Sequence, residues 1–358
     1  MNSASDGAVG LYSAVGDALA GRSLGFGRRR AALAARFALH RGVGEELVAA
    51  AWVAGALADI GLLGVVPPPG ADQHVRLLFQ ADAPLHGARL VAGMAGLPAR
   101  AADTLRWHSE HDDGTGIPDR LRWDGIPTEA AALGIAHAFL AAMEDPDGPR
   151  AAPEALFTVI GESGRLYRVE LVRAFREFVG AAADWDQPFD PDVRPTDEAA
   201  LVADLALRLD ARDHRTIGRT ARLAHVAAML SERLPVDGEQ AARLAQLVAL
   251  GRATPESDPD DFDPLSRFAR ERRSSEANRA AAIAASVAGF AADAPHLAAS
   301  GAWYEDGGVE PLGGILGLAL AVESLPAIDA PRRVAAASGS QFHPEVAREY
   351  LAVIGVPT

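Results

Sequence analysis

Apolar residues recur at three- and four-residue spacing through much of this chain. That spacing predicts helices, because residues three and four apart lie on one face of an α-helix. The clearest segments are Ala31–Leu39, Glu46–Leu57, Leu201–Leu209, Arg219–Leu234 and Glu239–Leu250. Strand-like alternation is rare and β-branched residues are scattered, so the pattern predicts an all-α fold.

The two halves of the chain repeat one another. A Gly-x-x-x-Arg pattern begins a predicted helix at Gly25–Arg29 and again at Gly218–Arg222. Near the ends of the halves, the segment Gly164–Leu171 corresponds to Gly339–Val346. Between them, Asp184–Pro195 is rich in Asp and Pro, which is typical of a linker. We therefore predict two tandem helical-bundle domains, residues 9–183 and 199–357, joined by a linker at residues 184–198.

The predicted linker also carries apolar side chains, namely Trp185, Phe189 and Val193. A freely mobile tether has little reason to expose such residues. We therefore predict that the two halves dock, with some of these side chains buried at the junction. Two independently moving domains are the alternative.

Composition limits the classes of function. The 358 residues include no Cys, which excludes disulfides, thiolate metal ligands and cysteine nucleophiles. The net charge of −14 disfavours a broad nucleic-acid surface, since phosphate binding depends on Lys and Arg. No signal peptide is visible, and no uninterrupted stretch of about 18 apolar residues predicts a membrane span. These features predict a cytoplasmic protein with neither nucleic acid nor membrane as a partner.

One segment carries a specific motif. Residues His108–Pro118 read His-Ser-Glu-His-Asp-Asp-Gly-Thr-Gly-Ile-Pro, and Pro127 follows nine residues later. The segment resembles the His-His-Glu-x-x-Asp-Gly-x-Gly-Tyr-Pro signature of the HD-GYP family, bacterial metal-dependent phosphodiesterases that open cyclic di-GMP and related dinucleotides. Ser109 replaces the second His, and Ile117 replaces the Tyr. The signature-loop residues that this chain retains are Glu110, Asp113, Gly114, Gly116 and Pro118.

The resemblance implies a metal centre, but this chain keeps few of its ligands. Asp59 and His108 match ligand positions, and His137 stands where the family has an Asp. These three residues are the vestigial metal candidates. Other ligand positions hold residues that do not bind metals, and these are Phe26, Ala58, Ala83 and Ser109 in the first half and Arg219, Val248, Ala249 and Leu320 in the second. We expect no cofactor or, if one binds, a single divalent metal such as Fe or Mn in the first domain.

The second half offers one further candidate. Arg252 stands where the family has a phosphate-contacting Lys, so it could contact an anion. An ordinary exposed Arg is the alternative interpretation of this position.

Three functional hypotheses follow. The favoured one is a catalytically inactive or strongly impaired HD-GYP-like protein that serves as a signalling, nucleotide-binding or protein-interaction module. Its partner would be a cyclic dinucleotide or a signalling protein. The alternative is a residual metal-dependent phosphohydrolase that uses the first domain. The third hypothesis is a helical protein whose function lies outside cyclic-nucleotide signalling. The sequence predicts no oligomeric state.

Overall fold

A computed structural model describes residues 6–68, 70–145, 148–181, 185–255, 265–307 and 309–356. All regular structure in these ranges is helical, apart from two single β-bridges that join Ser163 to Tyr167 and Ser338 to Phe342. The prediction of an all-α fold is therefore confirmed. None of the helices in these ranges is long and apolar enough to cross a membrane.

The chain divides into two compact units, Met1–Glu198 and Ala199–Thr358. The α-helices of the first unit are α1 (Ala8–Leu19), α2 (Phe26–His40), α3 (Glu45–Leu57), α4 (Gln73–Gln80), α5 (Ala83–Ala92), α6 (Ala101–Trp107), α7 (Thr128–Met143), α8 (Ala152–Gly161) and α9 (Val169–Ala181). Short 3-10 helices cover Ile60–Gly64 and Trp123–Gly125.

The core of the first unit lies between α2, α3 and α7. Helices α3 and α7 are apolar on nearly every side, which is typical of helices buried all round. Helix α2 approaches α3 closely because Gly55 has no side chain: a Cβ there would lie 2.7 Å from the Cα of Ala31. The ring of Phe175 packs edge-on against Phe37 and Phe139, with centroids 5.0 and 5.4 Å apart.

The described residues of the second unit also form α-helices and short 3-10 helices. Its α-helices are α10 (Glu198–Ala211), which begins at the boundary, α11 (Arg219–Ser231), α12 (Gly238–Leu247), α13 (Arg267–Ala285), α14 (Ala294–Ala299), α15 (Pro311–Glu323), α16 (Ala330–Ala337) and α17 (Pro344–Val353). Its 3-10 helices cover His214–Thr216, Val248–Arg252, Ala288–Asp293 and Tyr304–Asp306.

Matching backbone features recur in both units. A glycine with positive φ precedes the second helix of each unit, at Gly25 (94°) and Gly218 (74°). Only glycine adopts that conformation without strain. Near the C-terminal end of each unit, the amide of Gly164 donates to the carbonyl of Tyr167, and the amide of Gly339 donates to the carbonyl of Phe342. These local features match the sequence repeat at two points, and the two repeated domains stay a prediction. The predicted boundaries at residues 183, 184 and 357 lie outside the described residues.

The described part of the predicted linker, residues 185–198, belongs to the first unit. The Trp185 ring packs edge-on against Phe139 with centroids 5.3 Å apart. The Trp52 indole N–H donates to the carbonyl of Phe189. The amide of Thr196 donates to the carbonyl of Ala95 at 2.8 Å. At least the Trp185 ring of the predicted linker is therefore packed against a helix of the first unit. Docking between the two halves stays a prediction.

Candidate functional site

A fully buried arginine lies at the centre of the first unit's site. The Arg30 side chain is 0% exposed and projects from the buried face of α2. The Phe26 ring lies one helical turn earlier, with its centroid 5.3 Å from the guanidinium carbon. A buried guanidinium is costly unless it is paired and hydrogen-bonded, so its partners determine what this site can do.

Three groups hold the Arg30 guanidinium. Its Nε donates to the carbonyl of Gly55 at 2.8 Å, which ties it to α3. Its Nη1 lies 2.7 Å from Oδ2 of Asp59 and 3.0 Å from Nδ1 of His137 in α7. The guanidinium therefore joins α2, α3, the start of the 3-10 helix after α3, and α7 at one point.

The ring nitrogens of the two histidines have fixed roles. Since Arg30 can only donate, His137 accepts at Nδ1 and carries its proton at Nε2. The Nδ1 of His108 lies 2.6 Å from the carbonyl of Leu105 and donates to it. Its Nε2 then accepts the hydroxyl proton of Ser109, at 3.2 Å. The ring centroids of His108 and His137 lie 6.3 Å apart.

Burial and charge keep both imidazoles neutral. Burial and the nearby Arg30 lower the pKa of His137 to about 3. Burial also lowers the pKa of His108. For Asp59, burial opposes ionisation, but the Arg30 guanidinium outweighs it and holds the pKa below its usual value. The site thus contains one carboxylate, one guanidinium and two neutral imidazoles.

A second buried carboxyl group lies beside this site. Asp17 of α1 accepts hydrogen bonds from the amides of Gly25 and Gly27, both at 2.8 Å, at the N-terminus of α2. Burial raises its pKa to about 7. The position of Gly27 is too crowded for a side chain, because a Cβ there would lie 2.5 Å from Oγ of Ser13.

Asp17 and His137 should contribute oppositely to the pH dependence of stability. The raised pKa of Asp17 makes its contribution full below pH about 4 and lost as the pH rises through about 7. The lowered pKa of His137 makes its contribution full above pH about 6.5 and lost as the pH falls towards 3. Between pH about 4 and about 6.5, the contributions of Asp17 and His137 change in opposite directions and partly cancel.

Single variants should separate the two contributions. When the pH falls from 6.5 to 4.5, Asp17→Asn should lose stability more steeply than the parent. The reason is that the stabilising contribution of Asp17, which grows as the pH falls, is absent from this variant. Over the same range, His137→Gln should lose less stability than the parent, because the contribution that His137 loses on acidification is absent. The amide oxygen of this Gln can still accept the hydrogen bond from Arg30. Urea unfolding at several pH values measures both slopes. Identical slopes in the parent and both variants would contradict the assignment.

The residues present do not fit the metal centre that the resemblance implies. Asp59, His108 and His137 do lie together, since all three interact electrostatically. Among the described residues, however, no group of three or more His, Asp or Glu side chains is arranged to hold an ion. Arg30 instead engages the Asp59 carboxylate and the acceptor nitrogen of His137.

The vacated ligand positions are filled by apolar packing. The Phe26 ring lies edge-on to His137 with centroids 5.9 Å apart. The backbone of Ala83 is pressed against Gly61, where a Cβ would overlap the Ala83 carbonyl. The Phe26 ring thus lies beside His137 at a position where the resemblance implies a histidine ligand.

The retained signature residues shape a loop. The buried carboxylate of Glu110 accepts the amides of Asp119 and Leu121, at 2.6 and 2.8 Å. Asp113 accepts the amide and hydroxyl of Thr115, at 2.9 and 2.6 Å. All of these acceptor atoms are therefore committed to the backbone or side chains of the loop itself.

Small and cyclic residues complete the loop. Gly114 has φ 78°, and Arg122 lies where its side chain would be. Gly116 contacts the backbone of Glu110 too closely to carry a Cβ. The peptide bond before Pro118 is cis. Each retained residue thus has a conformational role.

The surface of this loop presents features that the motif did not reveal. Arg120 and Trp123 have positive φ values of 56° and 49°, and Trp123 is 67% exposed. Asp119 accepts from Nε and Nη2 of Arg106, at 2.7 and 2.8 Å, and from the indole of Trp107 at 2.8 Å. The pattern that could have indicated an exposed loop is the charged and aromatic run at residues 119–124.

The second unit places ion pairs at the equivalent positions. Arg219, which corresponds to Phe26, pairs with Glu323 at 3.2 Å and Glu276 at 3.9 Å. Arg252, the candidate anion contact, is mostly buried and pairs with Asp210. Asp210 also accepts the amide and hydroxyl of Thr220, at 2.7 and 2.9 Å. The Arg252 cation already has an anionic partner from its own unit.

Comparisons with known proteins bear on the fold. No family model matches the sequence, and no curated protein matches it. Among solved structures, a crystal structure of a cyclic GMP-AMP-specific phosphodiesterase of V. cholerae is similar to this chain. It is 16% identical with a TM-score of 0.72, and the match covers 100% of this chain and 99% of that one. The chain therefore has the fold of this phosphodiesterase, which confirms at the level of fold the resemblance predicted from the signature loop.

Proposed function

We propose that this chain is a catalytically inactive protein on a phosphodiesterase fold, and that it binds a cyclic dinucleotide as a signal without hydrolysing it. The observation that carries the proposal is the contact of the Arg30 guanidinium with Asp59 and His137. On this fold, hydrolysis is expected to need a metal that generates hydroxide at neutral pH. The groups that would hold that metal are engaged with one another.

Three groups that could act as a general base are engaged within the site. Asp59 is ion-paired with Arg30, and the acceptor nitrogen of His137 takes an Arg30 proton. The acceptor nitrogen of His108 takes the Ser109 proton. A general base must have a free acceptor within hydrogen-bonding distance of its proton. The first unit's site therefore supports recognition better than turnover.

The ligand class is inferred from the fold and from one half-buried cation. The V. cholerae structure is that of a phosphodiesterase specific for cyclic GMP-AMP. In this chain the Arg22 guanidinium carbon lies 4.9 Å from the centroid of the Phe26 ring, and Arg22 is close enough to His137 to lower its pKa. Arginine suits phosphate because its N–H groups match the phosphate oxygens. We assign Arg22 as a phosphate contact.

Calorimetric titration with cyclic GMP-AMP and cyclic di-GMP tests the proposal. The parent should bind one of them saturably, and chromatography should recover the nucleotide intact after incubation with Mn²⁺. Arg22→Ala should weaken binding about tenfold, which is the loss of one charge-assisted hydrogen bond. Arg41→Ala, at an exposed position in the same unit, should bind like the parent. Absence of binding to both nucleotides would refute the ligand assignment.

The alternative function, residual hydrolysis in the first unit, is favoured by the clustering of Asp59, His108 and His137. If it is correct, product should form with Mn²⁺ and should disappear in each of Asp59→Ala, His108→Ala and His137→Ala. Product that survives all three changes would come from another site or a contaminant. Hydrolysis that requires all three residues would replace the proposal of an inactive protein.

A further inference from the structure

The Asp59 carboxylate needs a counter-ion, and its own chain supplies one. Its Oδ2 is buried, and its side chain is 18% exposed. A buried carboxylate is tolerated only with a cation or several donors beside it. Arg30 provides that cation from the interior of α2, with no exposure of its own.

The guanidinium nitrogen Nη1 lies between two groups that could also be metal ligands. Nη1 of Arg30 lies between a carboxylate oxygen at 2.7 Å and an unprotonated imidazole nitrogen at 3.0 Å. Carboxylate oxygen and neutral imidazole nitrogen are also the ligands that divalent first-row metals take, at about 2.1 Å. Each atom would have to move by less than about 1 Å to reach that distance.

Contacts on several sides hold the Arg30 guanidinium in this position. Its Nε donates to the carbonyl of Gly55, where α2 and α3 pack closely. Phe26 covers the guanidinium on another side. A competing cation would therefore have to displace an internal ion pair.

We propose that Arg30 is an internal cation that stands in the place of a metal ion and closes this site to divalent cations. We further infer that removing the guanidinium leaves a one-metal site, with Asp59 and His137 as ligands and His108 as the third. The inference concerns the choice of cation and stands whether or not the chain binds a nucleotide.

The second unit also holds largely buried arginines in ion pairs near the positions where the resemblance implies metal ligands. Arg219 at the position of Phe26 pairs with Glu323 and Glu276, and Arg252 pairs with Asp210. There the ligand types have also changed, because Ala249 and Leu320 stand where Asp ligands are expected. Among the described residues, the set Asp59, His108 and His137 of the first unit is the one on which the proposal rests.

Metal titration of Arg30 variants tests the proposal. The parent and Arg30→Lys, which retains a cation, should bind Mn²⁺ or Zn²⁺ only weakly. Arg30→Ala and the milder Arg30→Gln should each bind about one ion per chain, at least tenfold more tightly than the parent. The gain should disappear when Asp59→Asn is added to either variant. Calorimetry with the metal alone gives affinity and stoichiometry.

Thermal unfolding provides a second readout when a variant is unstable. Added metal should raise the Tm of Arg30→Ala or Arg30→Gln and leave that of the parent unchanged, because a ligand that binds only the folded state stabilises it. The proposal is overturned if neither variant gains metal affinity or Tm. It is also overturned if the parent binds the ion as tightly as the variants do.

Discussion

Replacing Arg30 with methionine is expected to lower the free energy of unfolding by about 3–5 kcal/mol in metal-free buffer. The substitution keeps an unbranched side chain of similar length but removes the cation, so Asp59 stays charged and loses its partner. Breaking a buried ion pair from one side costs this much because the remaining charge is uncompensated. Urea unfolding at pH 7 measures the loss.

The double variant separates charge from packing. Adding Asp59→Asn to Arg30→Met removes the stranded charge and should restore most of the lost stability, since both partners are then neutral. Arg41→Met, at an exposed position near the end of the same helix, should change stability by less than about 0.5 kcal/mol. Equal stabilities of the single and double variants would show that the pairing with Asp59 is not what Arg30 supplies.

Replacing Gly61 with alanine is expected to cost about 3 kcal/mol. Gly61 lies in the 3-10 helix that follows Asp59, and a Cβ there would overlap the carbonyl of Ala83 and crowd the amide of Gly87. Both neighbours are backbone atoms of α5, so they cannot turn aside as a side chain could. Relief would require moving that helix, and overpacking of this kind is destabilising.

A second glycine gives a matched control. Gly180 lies in α9 with no atom within 4 Å of its would-be Cβ. Gly180→Ala should therefore raise stability by about 0.5–1 kcal/mol, through the higher helix propensity of alanine. Denaturant midpoints of the two variants measure the difference. A parent-like midpoint for Gly61→Ala would show that α5 moves away without cost.

The helices were largely predictable from periodicity alone. Ala31–Leu39 lies inside α2, and Glu46–Leu57 matches α3 to within one residue. The prediction for Glu239–Leu250 was wrong at its end, because α12 ends at Leu247 and continues as a 3-10 helix. Just past this segment, Gly251 packs against the Glu276 carbonyl, with which a Cβ would overlap. No pattern within the segment encodes that contact.

The central residue of the site was missed for a similar reason. Arg30 ends a run of three arginines, which resembles the solvated end of a surface helix. One signal could have revealed it: Arg30 falls at helical spacing with Phe26, Leu33 and Phe37, all of them buried. Its partners come from α3 and α7, so their identity required the fold.

The role of the signature loop also depends on contacts that the sequence does not reveal. Glu110 and Asp113 could be read from sequence as ligands or as structural acceptors, since carboxylates serve in both roles. Their acceptor atoms bond to amides and a hydroxyl of the loop. Retention of this pattern thus preserves a loop conformation and does not require a metal.

Elemental analysis of the purified protein tests the central claim most directly. The protein should be prepared without chelators, and its transition metals measured per chain by mass spectrometry. With Arg30 in place, and with Phe26, Ala58 and Ala83 at former ligand positions, we expect well below one Fe, Mn or Zn per chain. About two Fe or Mn per chain would contradict the account, because an intact metal pair would then coexist with the buried Arg30–Asp59 ion pair.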